Sequence, residues 1–130
     1  MKIKNWERVK YFHQSEFDCP DNPGSGSMME EEFVLLLDKL REKMGKEIII
    51  ISGFRTEEYN EKLINAGYKA SPDSSHKKGF AVDIKVTTST FRAELIKNAL
   101  SLGINRIGIS RRFVHLDVDP DKPQNVIWLY

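Results

Sequence analysis

The sequence predicts an α+β fold in which helices pack on one side of a mostly antiparallel sheet. Strand-like and helix-like segments alternate through the middle of the chain, from an isoleucine run at 48–52 to a helical pattern that ends near Leu102. Two short apolar segments, Arg106 to Ile109 and Phe113 to Val118, follow with only three residues between them. So short a connection is typical of a hairpin and therefore of antiparallel pairing.

Composition places the chain among soluble globular proteins. It has 130 residues, of which 40% are hydrophobic and 30% charged, so we expect one domain, 1–130, with a sizeable core. The 20 basic and 19 acidic residues nearly cancel, which argues against nucleic acid as a partner. No apolar run is long enough to span a membrane. Nothing indicates a coiled coil or a large exposed apolar patch, so we expect a monomer.

Cys19 is the only cysteine. No internal disulfide can therefore form, and any metal ion must be held by histidine and carboxylate. We expect the Cys19 side chain to be buried. A reactive thiol is the alternative, but nothing nearby in the sequence would lower its pKa.

Residues 1–27 are expected to form an irregular N-terminal segment. Asp21 to Gly26 is a loop by composition, and the aromatic side chains of Tyr11, Phe12 and Phe17 are expected to fix the segment to the core. The first residues lack the apolar core of a signal peptide. We therefore expect synthesis in a cytoplasm, with any export depending on other proteins.

The first helix is predicted from its ends and its apolar spacing. Ser27, followed three positions later by Glu30, indicates a capping box at the helix start. Gly45 is expected to end the helix. The side chains at helical spacing that should face the core are Phe33, Leu36, Leu37 and Leu40.

The remaining elements follow from composition and capping residues. Ile48 to Ser52 is a β-branched run and predicts a central strand covered on both faces. Thr56 predicts the N-cap of a second helix over 57–66, and a third helix is expected over 91–102. The apolar tail, 126–130, is expected to pack back on the body of the protein.

One stretch in the middle of the chain carries the candidate chemistry. His76 is expected on a turn that runs through Gly79 into a strand bearing Ala81 and Asp83, with the two small residues keeping the gap between histidine and aspartate open. His115, on a second strand expected to lie alongside, offers a third ligand. Two imidazoles and a carboxylate suit zinc. The alternative is that the histidines are packing or surface residues, apart in space, in a metal-free domain.

Arg55 lies between the end of a predicted strand and the start of a predicted helix. Residues at such junctions often bind ligands. A surface arginine in a salt bridge is the alternative interpretation.

Several of these segments resemble one known family. Ser74-x-His76-x-x-Gly79-x-Ala81-x-Asp83 resembles the signature of the zinc D-alanyl-D-alanine carboxypeptidase family. That family includes D-Ala-D-Ala dipeptidases and bacteriophage peptidoglycan endopeptidases, and it shares its fold with the hedgehog signalling domain. Ser52-Gly53-Phe54-Arg55-Thr56 and Asn60 resemble the family's Ser-Gly-aromatic-Arg strand end and a following Asn, and Phe113-Val114-His115-Leu116-Asp117 resembles its closing histidine motif. The region of Trp128 resembles the tail of compact phage-type members, so the resemblance covers most of the chain.

The resemblance implies a role for each matching residue. His76, Asp83 and His115 would bind Zn²⁺, Arg55 would hold a carboxylate or carbonyl group of the substrate, and Ser74 would hydrogen-bond near the site to fix the loop or the substrate. The implied activity is hydrolysis of peptidoglycan stem peptides, by a D-Ala-D-Ala carboxypeptidase or an L-Ala-D-Glu-type endopeptidase. An endolysin-like protein of this kind would act on the bacterial cell wall after phage-mediated release.

The chain departs from the family at one position. Many members carry an acidic general base three residues before the last zinc histidine, whereas Arg112 stands there in this sequence. Asp117 faces the same side of its strand as His115, so it is either the general base or the acceptor that fixes the tautomer of a zinc-bound histidine. Asp119 is a weaker candidate for the base. With no base assigned, a zinc-containing binding or structural module of the same fold is the alternative function.

Overall fold

A computed structural model describes residues 1–130. It contains three α-helices and one open five-stranded sheet, which confirms the predicted α+β class. The helices are α1 (Glu31–Met44), α2 (Glu57–Asn65) and α3 (Ser89–Ser101). The strands are β1 (Ile50–Ser52), β2 (Ala81–Lys85), β3 (Arg106–Ile109), β4 (Phe113–Asp117) and β5 (Val126–Leu129).

The sheet has the order β1-β2-β4-β3-β5. Three neighbouring pairs are antiparallel and one, β3 with β5, is parallel, so the sheet is mostly antiparallel, as predicted. One face is apolar and belongs to the core that also includes side chains of α1 and α3. Because side chains alternate along a strand, the residues between those core positions, including Asp83 and His115, lie on the opposite face. The buried core residues of the central strands are Val82, Ile84, Ile107, Val114 and Leu116.

The prediction that 48–52 forms a central strand was wrong. Only Ile50–Ser52 is a strand, and it lies at the edge of the sheet with β2 as its only neighbour. Ile49 and Ile51 are 43% and 50% exposed. A short apolar run predicts a strand but does not reveal how many neighbours the strand has, and here the pairing with β2 is interrupted by an irregularity between Ile50 and Ser52.

The predicted start of α1 was also wrong. Ser27 lies in a 3-10 turn, Ser25–Met28, and Glu30 is the N-cap without a capping hydrogen bond from its side chain. The Glu30 carboxylate instead pairs with the N-terminal amine at 2.6 Å and with Lys2 at 3.0 Å. The predicted end at Gly45 is confirmed, as is the Thr56 cap of α2, whose hydroxyl accepts a hydrogen bond from the Tyr59 amide.

The N-terminal segment is irregular apart from short 3-10 turns, and it packs into the core. Phe12 and Phe17 are buried as expected, and so is Cys19, whose pKa is raised by burial. The apolar tail packs back on the body, but it does so as β5, a strand that the sequence did not predict. None of the helices is both long and apolar enough to cross a membrane.

Candidate metal centre

The three residues predicted to bind zinc lie together on the open face of the sheet. Asp83 of β2 stands directly opposite His115 of β4 in the antiparallel register. His76 reaches the same place from a 3-10 turn, Ser75–Lys78, that precedes β2. One potential ligand atom from each residue lies within 4.8 Å of the others, and all three residues are buried.

Each histidine has one ring nitrogen held by the protein and one that faces the aspartate. His76 Nδ1 lies 2.8 Å from the Gly53 carbonyl oxygen, which can only accept, so Nδ1 carries the proton and Nε2 is free. His115 Nε2 lies 2.6 Å from an Asp117 carboxylate oxygen, and its Nδ1 lies 3.0 Å from Asp83 Oδ1. Histidines that bind metal ions are commonly fixed by such outer hydrogen bonds.

The spacing of the free atoms fits a zinc ion. Asp83 Oδ1 lies 3.4 Å from His76 Nε2 and 3.0 Å from His115 Nδ1. Two ligands bound about 2.0–2.1 Å from a tetrahedral ion lie roughly 3.3 Å apart. The set offers three protein ligands of the types that zinc prefers, as catalytic zinc sites do.

Burial and neighbouring charges shift the pKa values of the three candidate ligands. Burial lowers the pKa of His76. Burial acts in the same direction on His115, but its hydrogen bonds to Asp117 and Asp83 outweigh burial and raise the pKa of His115. Burial opposes the charge on Asp83, yet interactions with His76 and His115 outweigh it and lower the pKa of Asp83. Asp83 is therefore ionised, the form that binds a metal ion.

Arg55 lies beside the three residues rather than on the outer surface. Its side chain is 13% exposed, and Nη2 donates to Asp83 Oδ2 at 3.1 Å while Nε donates to the Ser52 hydroxyl at 3.1 Å. The salt bridge that was the alternative interpretation exists, but it is made to a candidate metal ligand. Ser74 is buried and lines the same cleft, and its hydroxyl accepts a hydrogen bond from the His76 amide at 3.2 Å.

Asp117 and Asp119 support the segments that carry the two candidate histidine ligands through hydrogen bonds. Asp117 Oδ2 contacts His115, and Oδ1 accepts hydrogen bonds from Arg106 Nε at 2.6 Å and from the Asp119 amide at 3.1 Å. Asp119 is fully buried and accepts a hydrogen bond from the Ser75 hydroxyl at 2.7 Å. Ser75 immediately precedes His76 in the chain. Asp119 does not line the cleft, so it is not placed to act on a substrate.

The sequence suggested that Gly79 keeps the gap between His76 and Asp83 open, but the structure gives Gly79 a different role. It has a φ of 79°, and a Cβ at this position would collide with the backbone carbonyl of Met28. Gly79 therefore allows the turn that bears His76 to lie against the N-terminal segment. Arg112 is exposed and lies outside the cleft that contains the candidate metal ligands. It lines a separate groove with Lys85 and Arg111.

The candidate ligands lie in a cleft of about 250 Å³. Further lining residues were not predicted as site residues, among them Arg106, Phe113, Trp128 and Tyr130. Burial and the negative charge of Asp83 raise the pKa of Tyr130 to about 12, so its phenol is neutral at ordinary pH. Trp128 and Tyr130 are two positions apart in the tail. This spacing is the one sequence signal that could have placed both side chains on one face of a strand.

Comparison with known families agrees with this geometry. A family model described as Peptidase M15 matches residues 10–117, most of the chain, and the match includes all three candidate ligands and Arg55. A search of curated proteins finds no match. The resemblance seen in the sequence motifs is confirmed, and the chain belongs to the Peptidase M15 family of metallopeptidases.

Proposed function

We propose that this protein is a zinc-dependent peptidase that hydrolyses stem peptides of bacterial peptidoglycan. The observation that supports the proposal most is the group of two imidazoles and one carboxylate within 4.8 Å in an open cleft. Structural zinc sites usually have four protein ligands, whereas catalytic sites have three and keep a position open. An endolysin-like protein with this activity would act on the cell wall after phage-mediated release.

The chain supplies the ligands and the groups that orient them. His76, Asp83 and His115 would hold the zinc ion. Bound zinc supplies Lewis acidity, which polarises a peptide carbonyl and makes water nucleophilic near neutral pH.

Arg55 is suited to bind the substrate. Nε and Nη2 of its guanidinium are held by Ser52 and Asp83, which fixes the plane of the group. Arg55 lines the cleft, and the guanidinium has a further nitrogen, Nη1, that could donate to a substrate carboxylate or carbonyl oxygen. A fixed guanidinium that offers several donors in one plane recognises such oxygens well. Ser74, which holds the backbone next to His76, keeps the turn that carries this ligand in place.

The contacts of Asp117 favour a positioning role over that of general base. Both of its oxygens are occupied, by His115 on one side and by Arg106 and a backbone amide on the other. Asp83 and Asp117 are the two carboxylates that line the cleft, and Asp83 is a candidate metal ligand. This shortage of a free acid favours the alternative function, a zinc-containing module that binds without cleaving.

Digestion of purified peptidoglycan by the zinc-loaded protein distinguishes the two functions. Mass spectrometry of the products would show loss of a terminal D-alanine for a carboxypeptidase, and new L-Ala and D-Glu ends for an endopeptidase. His115→Ala should abolish the products. His13→Ala should not, because His13 is exposed and lies outside the cleft. If the wild type binds zinc and releases no products, the peptidase proposal is wrong and the binding module is favoured.

A further inference from the structure

The terminal strand β5 forms one wall of the metal cleft. It pairs in parallel with β3, and the register places Trp128 opposite Gly108. Because side chains alternate along a strand, Tyr130 lies on the same face as Trp128, and both line the cleft with the candidate metal ligands. Both residues lie beyond the segment 10–117 that matches the family model. The family's common segment therefore does not account for this wall.

The two aromatic rings are held closely against β3 and β4. A Cβ added to Gly108 would lie 2.6 Å from Trp128 Nε1 and 2.7 Å from Tyr130 Cε2, so the absence of a side chain at 108 makes room for both rings. The ring of Trp128 is 5.4 Å from that of His115, with the Arg106 guanidinium 5.3 Å from the Trp128 ring centre. Such packing fixes the indole and, through it, the imidazole of His115.

Tyr130 occupies the outer part of the wall. Its ring centre is 5.2 Å from that of Phe113 and 6.4 Å from that of Trp128. The residue lines the cleft and is still 37% exposed, although its ring is supported by two aromatic neighbours. A ring supported in this way has little conformational freedom to lose when it contacts a ligand.

The sheet order places Tyr130 across the cleft from Arg55. The candidate ligands lie on β2 and β4, in the middle of the sheet, whereas β1 and β5 are at opposite edges. Arg55 follows β1 in the chain and Tyr130 follows β5. Both residues line the main cleft and also the neighbouring cavity, about 270 Å³, that extends past Phe113 and Leu63. A peptide placed over Asp83 and His115 would therefore lie between the guanidinium and the phenol.

We propose that Tyr130 is a substrate-binding residue whose phenol donates a hydrogen bond to a peptide oxygen of the substrate, opposite Arg55. Trp128 is a positioning residue that supports Tyr130 and His115. This inference rests on the proposed peptidase function. It assigns part of the recognition of the substrate to a segment outside the family match.

Kinetics on soluble muropeptides with the zinc-loaded protein tests the inference. Tyr130→Phe keeps the ring and removes only the hydroxyl, so we expect kcat/KM to fall about tenfold. Zinc affinity and the thermal midpoint should stay at the wild-type values. Leu129→Ala is the matched control, because Leu129 is the preceding residue, is 79% exposed and does not line the cleft; its kcat/KM should equal that of the wild type.

Three results would overturn the inference. Equal kcat/KM for Tyr130→Phe and the wild type would show that the phenol contacts no substrate. A loss of zinc affinity in Tyr130→Phe that accounts for the lost activity would make the residue a support of the metal site instead. A wild type that cleaves no muropeptide overturns the peptidase function and the inference together, and this failure is recognised before any variant is compared.

Discussion

Each candidate metal-binding histidine is fixed through the ring nitrogen that faces away from Asp83. Gly53 holds His76 at 2.8 Å through its backbone carbonyl, and Asp117 holds His115 at 2.6 Å through its carboxylate. Arg106 in turn donates to Asp117 at 2.6 Å. These contacts fix the orientation of both rings and turn the other nitrogen of each towards Asp83, so the candidate ligands are arranged before any metal ion arrives.

Replacing Asp117 by asparagine should therefore weaken zinc binding. The loss of the charged acceptor is expected to reduce zinc affinity about 10- to 100-fold, measured by competition with a chromophoric chelator. Asp121→Asn is the control, because the side chain of Asp121 is 78% exposed. If Asp117→Asn kept wild-type zinc affinity and lost only kcat, Asp117 would be the general base after all.

Asp119 should contribute to stability in a pH-dependent way. Burial opposes its charge, but the hydrogen bond from Ser75 and the contact with Lys78 outweigh burial and lower the pKa of Asp119. The unfolded chain, with a pKa of about 3.9 at this residue, then binds the proton more readily than the folded chain. The stabilisation is full above about pH 4 and is lost as the pH falls through the lower pKa of the folded state.

Asp119→Asn should lower the free energy of unfolding at pH 7 by about 1–3 kcal/mol, because Ser75 and Lys78 lose a charged partner. In urea unfolding, the difference between variant and wild type should shrink as the pH is lowered from 5 towards 2, a range that covers the titration of a carboxylate in the unfolded chain. A difference that stays constant over this range would show that the charge of Asp119 does not stabilise the fold.

At the scale of elements, the turn that carries His76 depends on its contact with the N-terminal segment. Gly79 ends this turn in the left-handed region, and its carbonyl accepts a hydrogen bond from the Glu30 amide at 3.0 Å. The backbone of Met28 and Met29 occupies the space where a side chain would stand. The position of one candidate zinc ligand, His76, thus depends on a glycine that cannot bind a metal ion itself.

Gly79→Ala should destabilise the protein more than Gly103→Ala. Both glycines have a φ near +80°, at 79° and 86°, so alanine is strained at each by roughly 1 kcal/mol or more. A Cβ at Gly103 would meet nothing within 4 Å, whereas at Gly79 it would collide with backbone. Thermal unfolding should show the larger loss for Gly79→Ala, together with weaker zinc binding. Equal losses for the two variants would mean that the close contact at Gly79 is unimportant.

The sequence was most informative where structure is determined locally. The Thr56 cap of α2 and the pairing of β3 with β4 depend on neighbouring residues, and both are confirmed. The edge position of β1 and the existence of β5 depend on which distant strands pair with them, and no short pattern specifies that choice. The failure of the Ser27 cap has a different cause, since tertiary contacts of Glu30 replaced the local capping bond.

The residues of the candidate site likewise fall into those that the sequence could predict and those that it could not. Alternation along two strands and one short motif were enough to bring His76, Asp83 and His115 together as candidates. Trp128 and Tyr130 could not be placed, because their position in the cleft depends on the parallel pairing of β5 with β3.

At the scale of the whole molecule, the N-terminal segment connects the core to the candidate metal site. Phe17 is fully buried, with its ring 5.6 Å from those of Trp6 and Phe12. Its carbonyl accepts a hydrogen bond from the Phe54 amide at 2.9 Å. Gly53, which precedes Phe54, packs its backbone against Phe17, and its own carbonyl lies within hydrogen-bond distance of His76.

Phe17→Ala should therefore affect both stability and metal binding. The cavity left in the core is expected to lower the free energy of unfolding by about 3–5 kcal/mol, measured by chemical denaturation. Zinc affinity should fall as well, because without the buried ring the Phe17 backbone, against which Gly53 packs, is less firmly held. Leu100→Ala, at a position 45% exposed on α3, should change neither quantity by much. A Phe17→Ala protein with wild-type zinc affinity would show that the core and the site are independent.

The central claim is that His76, Asp83 and His115 form a single metal site, and zinc stoichiometry by native mass spectrometry tests it most directly. The wild type should carry one zinc ion per chain after dialysis against a low, buffered concentration of free zinc. His76→Ala, Asp83→Ala and His115→Ala should each carry none under the same conditions, whereas His13→Ala should still carry one. A wild type that retains no zinc, or a His115→Ala variant that retains it fully, would contradict the claim.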